Sequence, residues 1–227
     1  AISESTKNNS LKLKEFKNKN IYTIPLGINS SIYKIASNKS IATVKYKYGI
    51  DKRYILSIGT IEPRKNLESL LRAFSRINKK YILVLVGKQG WVSKKFFDLF
   101  DELNIKDHII MTGYVPTDDI GPLYSGAEVF VYPSLYEGFG LPVLEAMQCG
   151  CPVIAANTSS IPEIAGNAAI LIDPTDIESL VRAITTVLTK PSLRKKLKQN
   201  GVKQAKNFSW QKTAYQFLEI IQKELSS

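Results

Sequence analysis

From residue 54 onward, short apolar runs alternate with amphipathic stretches. The runs at 54–58, 81–86, 108–111, 129–132, 152–156 and 169–172 are dense in Val, Ile and Leu, the pattern of strands buried on both faces. Between them, apolar residues recur at helical spacing over 67–77, 94–103, 118–125, 142–149 and, briefly, 161–165. Thr175-Asp-Ile-Glu178 reads as a capping box that opens a helix running toward Leu188. Two more helices are expected over 192–207 and 210–224. This alternation predicts an α/β fold, a doubly wound parallel sheet over roughly 50–190, with ligand beyond the carboxyl ends of the strands. The first twenty residues are polar and Lys-rich, and 21–28 reads as a strand entering a turn at Pro25 and Gly27. No internal repeat or low-complexity segment interrupts the pattern.

With 227 residues and 44% hydrophobic content, the chain can bury one substantial core. No apolar run approaches the ~20 residues of a membrane span. Ala1-Ile-Ser-Glu-Ser-Thr6 has neither the basic start nor the apolar stretch of a signal peptide. Cys149 and Cys151 flank a single Gly, a spacing that fits neither a disulfide framework nor a zinc site. They are expected to be buried thiols at a helix end, in a reducing compartment. The net charge of +11 is unevenly placed: +7 over 1–50, −4 over 51–179 and +8 over 180–227. Basic ends around an acidic centre fit an anionic membrane surface or a lipid-phosphate acceptor, and fit solvated Lys-rich helices equally well. A nucleic-acid binder would instead carry its bases across one contiguous face. His108, the only histidine, has no Ser or Cys nucleophile in a recognisable motif.

The candidate chemistry concentrates in two loops. Glu137-Gly-Phe-Gly-Leu-Pro-Val-Leu-Glu145 sets two carboxylates eight residues apart across a loop-to-helix junction. Gly138 and Gly140 allow close backbone approach to a ligand, and Pro142 suits the start of a helix. The amides of Phe139, Gly140 and Leu141 then face outward from a helix N-terminus, which favours phosphate. Glu145 is expected in the first turn of that helix. The second loop, Ser57-Ile-Gly-Thr-Ile-Glu-Pro-Arg-Lys-Asn66, follows the first strand. Gly59 permits a tight turn, Asn66 is a suitable N-cap, and Arg64 and Lys65 form a cationic pair able to hold a diphosphate.

Tyr132-Pro-Ser-Leu-Tyr-Glu137-Gly-Phe-Gly-Leu-Pro-Val-Leu-Glu145-Ala-Met147, with Gly150-Cys-Pro-Val-Ile154, resembles the retaining glycosyltransferases of family four. The likeness extends from Ile24-Pro-Leu-Gly27 through the 57–66 loop to Phe208-Ser-Trp210, almost the whole chain. It implies a Rossmann-like fold, the C-terminal half of a GT-B glycosyltransferase. On that reading 1–30 is the remnant of an acceptor-binding domain with its hinge, 31–209 binds the nucleotide sugar, and 210–227 is a helix that crosses back. Nearly all of the acceptor-binding half is absent from this sequence, which is its main departure from the family pattern. Without that half, the crossing helix should be poorly anchored, with Trp210, Phe217 and Ile220 on an exposed stripe.

The resemblance also implies residue roles. Glu145 would accept hydrogen bonds from ribose hydroxyls, and Glu137 would contact a donor hydroxyl and support positive charge near the anomeric carbon. Arg64 and Lys65 would take the leaving diphosphate, beside Gly59, Thr60, Gly138, Phe139, Gly140 and Leu141. Thr60 stands where many members carry an Arg. Gly113-Tyr114-Val115 corresponds to the edge that binds the base through backbone groups, although Tyr114 reads equally as a packed loop aromatic. Lys88-Gln-Gly-Trp91 lines the same crevice or serves structure. No metal or cofactor is implied. The donor would be GDP-mannose or a UDP-sugar, and the acceptor a glycan or lipid-linked sugar, as in bacterial mannosyltransferases of surface-polysaccharide assembly. The expected partners are the missing N-terminal domain or a neighbouring chain and an anionic membrane surface, with no nucleic acid. The expected location is the cytoplasm or the inner face of the cell membrane. The competing readings are a non-catalytic nucleotide-sugar-binding or partner-binding module and a basic nucleic-acid binder.

Overall fold

A computed structural model describes residues 1–91 and 93–226. Ser227, the last residue of the expected crossing segment, lies outside the described residues. Six strands form one sheet: β1 (Arg53–Ile58), β2 (Tyr81–Val86), β3 (Ile109–Gly113), β4 (Val129–Tyr132), β5 (Val153–Ala156) and β6 (Ile170–Ile172). Their order is β3-β2-β1-β4-β5-β6 and every pairing is parallel. The helices are α1 (Glu4–Ser10), α2 (Asn38–Lys47), α3 (Leu67–Phe74), α4 (Lys94–Glu102), α5 (Thr117–Gly126), α6 (Leu141–Gln148), α7 (Ile161–Ala165), α8 (Ile177–Thr189), α9 (Pro191–Ala205) and α10 (Trp210–Leu225).

The apolar runs of β1, β2, β4 and β5 become strands because both faces of the sheet are covered there. The edge strand β3 has no buried residue and leaves Met111 exposed, against the expectation of burial on both faces. One core lies beneath α2, α5, α6 and α7, where Leu56, Phe130 and Ala155 meet Tyr124, Val143 and Ile161. The other lies beneath α3, α4 and α8, where Ile55, Leu83 and Ile154 meet Leu70, Phe96 and Ile184. Burying each such large side chain contributes about 1.5–3 kcal/mol, so continuous apolar strands suit this arrangement better than alternating ones.

Three sequence expectations are corrected. Residues 21–28 form no strand of the sheet. Pro25 lacks an N–H, the Ile28 amide bonds Phe208 O, and Ile28 and Ser209 make an isolated bridge. The cap of α8 is Asp176, which accepts from the Ser179 amide, while Thr175 bonds Asp173. The polar N-terminal region is also more regular than its composition suggests. Ser3 caps α1 and Ser37 caps α2, and α2 buries only Val44, too little apolar periodicity to read in advance. The α10 helix contains no buried residue. Trp210 and Phe217 are exposed as expected, joined by Tyr215, Leu218, Ile221 and Leu225, while Ile220 is half-buried.

Candidate active site

The strand order reverses between β1 and β4. The chain leaves β1 toward β2 and leaves β4 toward β5, which opens a crevice beyond their carboxyl ends. Loop 59–66 and loop 133–140 share that crevice and are stitched together. The Arg64 carbonyl accepts from the Leu135 amide at 2.9 Å and from Ser134 Oγ at 3.1 Å. Asn66 does not cap α3 with its side chain as expected. It sits at φ +54°, and its Nδ2 donates to Pro133 O and Pro174 O. Its amide thereby links the loops after β1, β4 and β6.

Glu137 is the centre of this crevice. Its Oε1 accepts from Lys65 Nζ at 2.7 Å, Ser134 Oγ at 2.7 Å and Tyr132 Oη at 2.8 Å, and pairs with Arg64 Nη1 at 2.9 Å. Burial alone would push its carboxyl up, but the bonds from Lys65, Ser134 and Tyr132 outweigh burial and hold it below the usual carboxylate range. Burial first, then Glu137, push the Tyr132 hydroxyl up, so it stays protonated and donating. Lys65 Nζ also bonds Tyr132 Oη at 2.7 Å, while Arg64 reaches Tyr136 O and Glu62. The two cations expected to meet a diphosphate are thus already engaged with Glu137. Arg64 keeps 42% of its side chain exposed against 12% for Lys65.

Glu145 occupies a different setting. It lies in the second turn of α6, not the first, because the helix begins at Leu141 with Gly140 as its cap. Its Oε2 accepts from Tyr124 Oη at 3.1 Å. Burial pushes its carboxyl up, against hydrogen bonds from Tyr33 and Tyr124. One carboxylate is therefore held ionised by cations, and the other is reluctant to ionise in a tyrosine-lined recess. The Tyr132 hydroxyl feels the charge of both.

Gly59 and Gly140 hold the positive φ values that a side chain would resist, whereas Gly138 does not. Gly59 has φ +149°, and a Cβ there would lie 3.2 Å from Lys65 Cε. Gly140 has φ +113°, and a Cβ would lie 2.7 Å from Ile161 Cδ1. Among the described residues, no acceptor meets the amides of Phe139, Gly140 and Leu141. Phe139 is buried against the edge of Phe208, and the Gly138 carbonyl is taken by α1. Thr60 is exposed. Tyr114 is exposed beneath Lys88 Nζ, 5.3 Å from its ring centroid, so it is not a packed aromatic. The Val115 side chain is buried in the core, which leaves only its backbone for the crevice. Trp91 is 94% exposed and serves no packing role. Cys149 and Cys151 are free and buried, and burial raises the Cys149 thiol to about 12.

Sequence reasoning did not single out Tyr132, Ser134, Tyr33 or Tyr124 as supports of the two carboxylates. The first two were visible inside the Tyr132-Pro-Ser134 motif, whereas the others depend on tertiary placement. Gly87 was also missed. Its φ is +146°, and a Cβ would lie 2.1 Å from the Gly59 carbonyl. The parallel ending of the first two strands, Ile58-Gly59 and Val86-Gly87, was the available signal.

A parallel sheet in this order, with cations and carboxylates gathered at its reversal point, is the architecture of one half of a GT-B glycosyltransferase. The chain belongs to the family described as "Glycosyl transferases group 1", which matches residues 41–204. It is 37% identical to the O-antigen chain mannosyltransferase B of Escherichia coli over 92% of this chain and 56% of that protein. It is 32% identical to the serotype-specific mannosyltransferase WbdA of the same species, over 100% of this chain and 29% of that protein. Among solved structures, the sucrose-phosphate synthase of Thermosynechococcus elongatus superposes with a TM-score of 0.83 at 27% identity, covering 97% of this chain and 57% of that one. The chain therefore spans about half or less of the length of these relatives.

Proposed function

We propose that this chain is the donor-binding half of a retaining, metal-independent glycosyltransferase. It would move a hexose, with mannose first, from a nucleotide sugar to a glycan or lipid-linked acceptor. Residues 1–30 belong to the acceptor-binding side and its hinge, 31–209 to the donor-binding body, and 210–227 to the crossing helix. The observation that carries the reading is the Glu137 centre: a carboxylate fixed by Lys65, Arg64, Ser134 and Tyr132 at the sheet's reversal point. Charge placed in advance where a reaction develops charge lowers its barrier without reorganisation.

In this reading Glu137 faces the donor sugar and Glu145 the ribose. Arg64, Lys65 and the 139–141 amides receive the departing diphosphate, while Gly113, Tyr114 and Val115 border the base. GDP-mannose is the first donor to try, supported by the mannosyltransferase relatives, with UDP-sugars next. The reaction would take place in the cytoplasm or at the inner face of the cell membrane. The test is calorimetry of the chain with GDP and with UDP in the presence of EDTA. Binding of either is expected, and a folded sample that gives no heat with both sinks the reading.

A further inference from the structure

The loop that carries Glu137 is held from two sides, and one side is the N-terminal helix α1. Ser3, only 1% exposed, donates from Oγ to the Gly138 carbonyl at 2.8 Å, and Thr6 Oγ1 donates to the same carbonyl at 3.0 Å. Ile2 Cδ1 lies 3.6 Å from where a Cβ of Gly138 would stand, and Asn9 Nδ2 reaches Tyr136 Oη at 3.3 Å. On the far side, Ser159 Oγ accepts from the Glu137 amide and Ser160 Oγ donates to the carbonyls of Glu137 and Phe139.

A carboxylate from α7 joins the two sides. Glu163 accepts from the Glu4 amide at 2.8 Å through Oε2 and from the Ser5 amide at 2.7 Å through Oε1. The third amide of that first turn, Thr6 N, goes to Ser3 Oγ. Unsatisfied amides at a helix start carry partial positive charge, and a carboxylate spanning two of them is favourably placed. Glu163 is 158 residues from Ser5 in sequence and sits on the exposed face of α7, so this contact is not a by-product of core packing.

We propose that Glu163, Ser3 and Thr6 are positioning residues: together they clamp α1 onto the 136–139 loop and thereby fix the orientation of Glu137. The clamp rests on the reading that Glu137 meets the donor sugar, but its mechanical part stands without any ligand. The residues that precede the hinge are in this way coupled directly to the carboxylate of the site.

Hydrogen exchange of the unliganded chain tests the mechanical part. Glu163→Ala is expected to speed exchange at the Glu4 and Ser5 amides and, with them, at the Glu137 amide by roughly tenfold. Val129–Tyr132 should stay unchanged, and Glu163→Gln, which keeps one acceptor oxygen, should fall between. Release of α1 with undiminished protection at Glu137 overturns the proposal. The consequence is read by calorimetry: Glu163→Ala should weaken an intact nucleotide sugar at least fivefold and leave the bare nucleoside diphosphate within about twofold. If Glu137→Gln weakens the nucleotide sugar and Glu163→Ala does not, the clamp does not orient Glu137 for the sugar, the proposal is overturned and the donor reading stands. If the exchange result holds and neither variant affects the sugar, the clamp stands and the role of Glu137 is wrong.

Discussion

Replacing Lys65 by Met removes the ammonium that lies 2.7 Å from Glu137 Oε1 and 2.7 Å from Tyr132 Oη. Both charged side chains are nearly enclosed, 12% and 11% exposed. Stripping every partner from such a carboxylate would cost about 3–5 kcal/mol. Glu137 still keeps Ser134, Tyr132 and Arg64, so the loss should approach that of one charged hydrogen bond, about 1.5–3 kcal/mol. For a chain of this size that is a fall in Tm of roughly 3–12 °C. Urea denaturation with m held common measures it. Adding Glu137→Gln to Lys65→Met should cost much less than Glu137→Gln in the wild type, because the partner has already gone. Glu137 is held below the usual carboxylate range, so its contribution is complete above that range and disappears as pH falls through its lowered value. The coupling between positions 65 and 137 should vanish in acid. Single-variant losses that add within about 0.5 kcal/mol at neutral pH would refute the account.

Glu145→Gln should weaken bare GDP or UDP roughly ten- to a hundredfold, and Glu137→Gln far less; equal losses in calorimetry would reverse the assigned roles. The Glu145 carboxyl is raised by burial, so ionising it costs stability as pH rises through its folded value. Glu145→Gln should therefore raise Tm at pH 8 relative to the wild type, with the gain shrinking toward pH 4, and a gain confined to acid contradicts the burial argument. Gly87→Ala places a Cβ 2.1 Å from the Gly59 carbonyl at φ +146° and should lower stability by about 2 kcal/mol or more while spreading the 59–66 loop. A Tm within 1 °C of the wild type would count against that packing. Hydrogen exchange should find weak protection along α10, whose described residues are all exposed or half-buried, beside strong protection in β4.

The sheet was legible because β2, β4 and β5 are apolar and buried throughout, which leaves no polar alternation to confuse with helix, although the edge strands β3 and β6 are only partly covered. The two loops were legible from glycine, proline and charge. The supports of the carboxylates were not. Tyr124 reaches Glu145 from α5, and Tyr33 reaches it from the segment before α2. Neither is distinguished in sequence from a packed aromatic. Asn66 shows the reverse failure: its type suited a helix cap, but its Oδ1 accepts from Ser69 Oγ instead of from a helix amide, and its Nδ2 donates to Pro133 and Pro174. Residues 21–28 had the composition of a strand, and their backbone partners proved to lie at Ala1 and at 208–209 instead of in the sheet.

The central position of β1 has a consequence for how the molecule is made. Its second neighbour, β4, ends roughly 70 residues later in the chain. At a synthesis rate of 5–20 residues per second, β1 waits roughly 4–15 s with one row of backbone groups unpaired. During that interval β1, β2 and β3 are available as a half-sheet with an apolar open edge, the kind of surface on which chains join to one another. The crevice that gathers Lys65 and Glu137 lies over this late-closing seam, so synthesis would form the site only after the most aggregation-prone stage has passed.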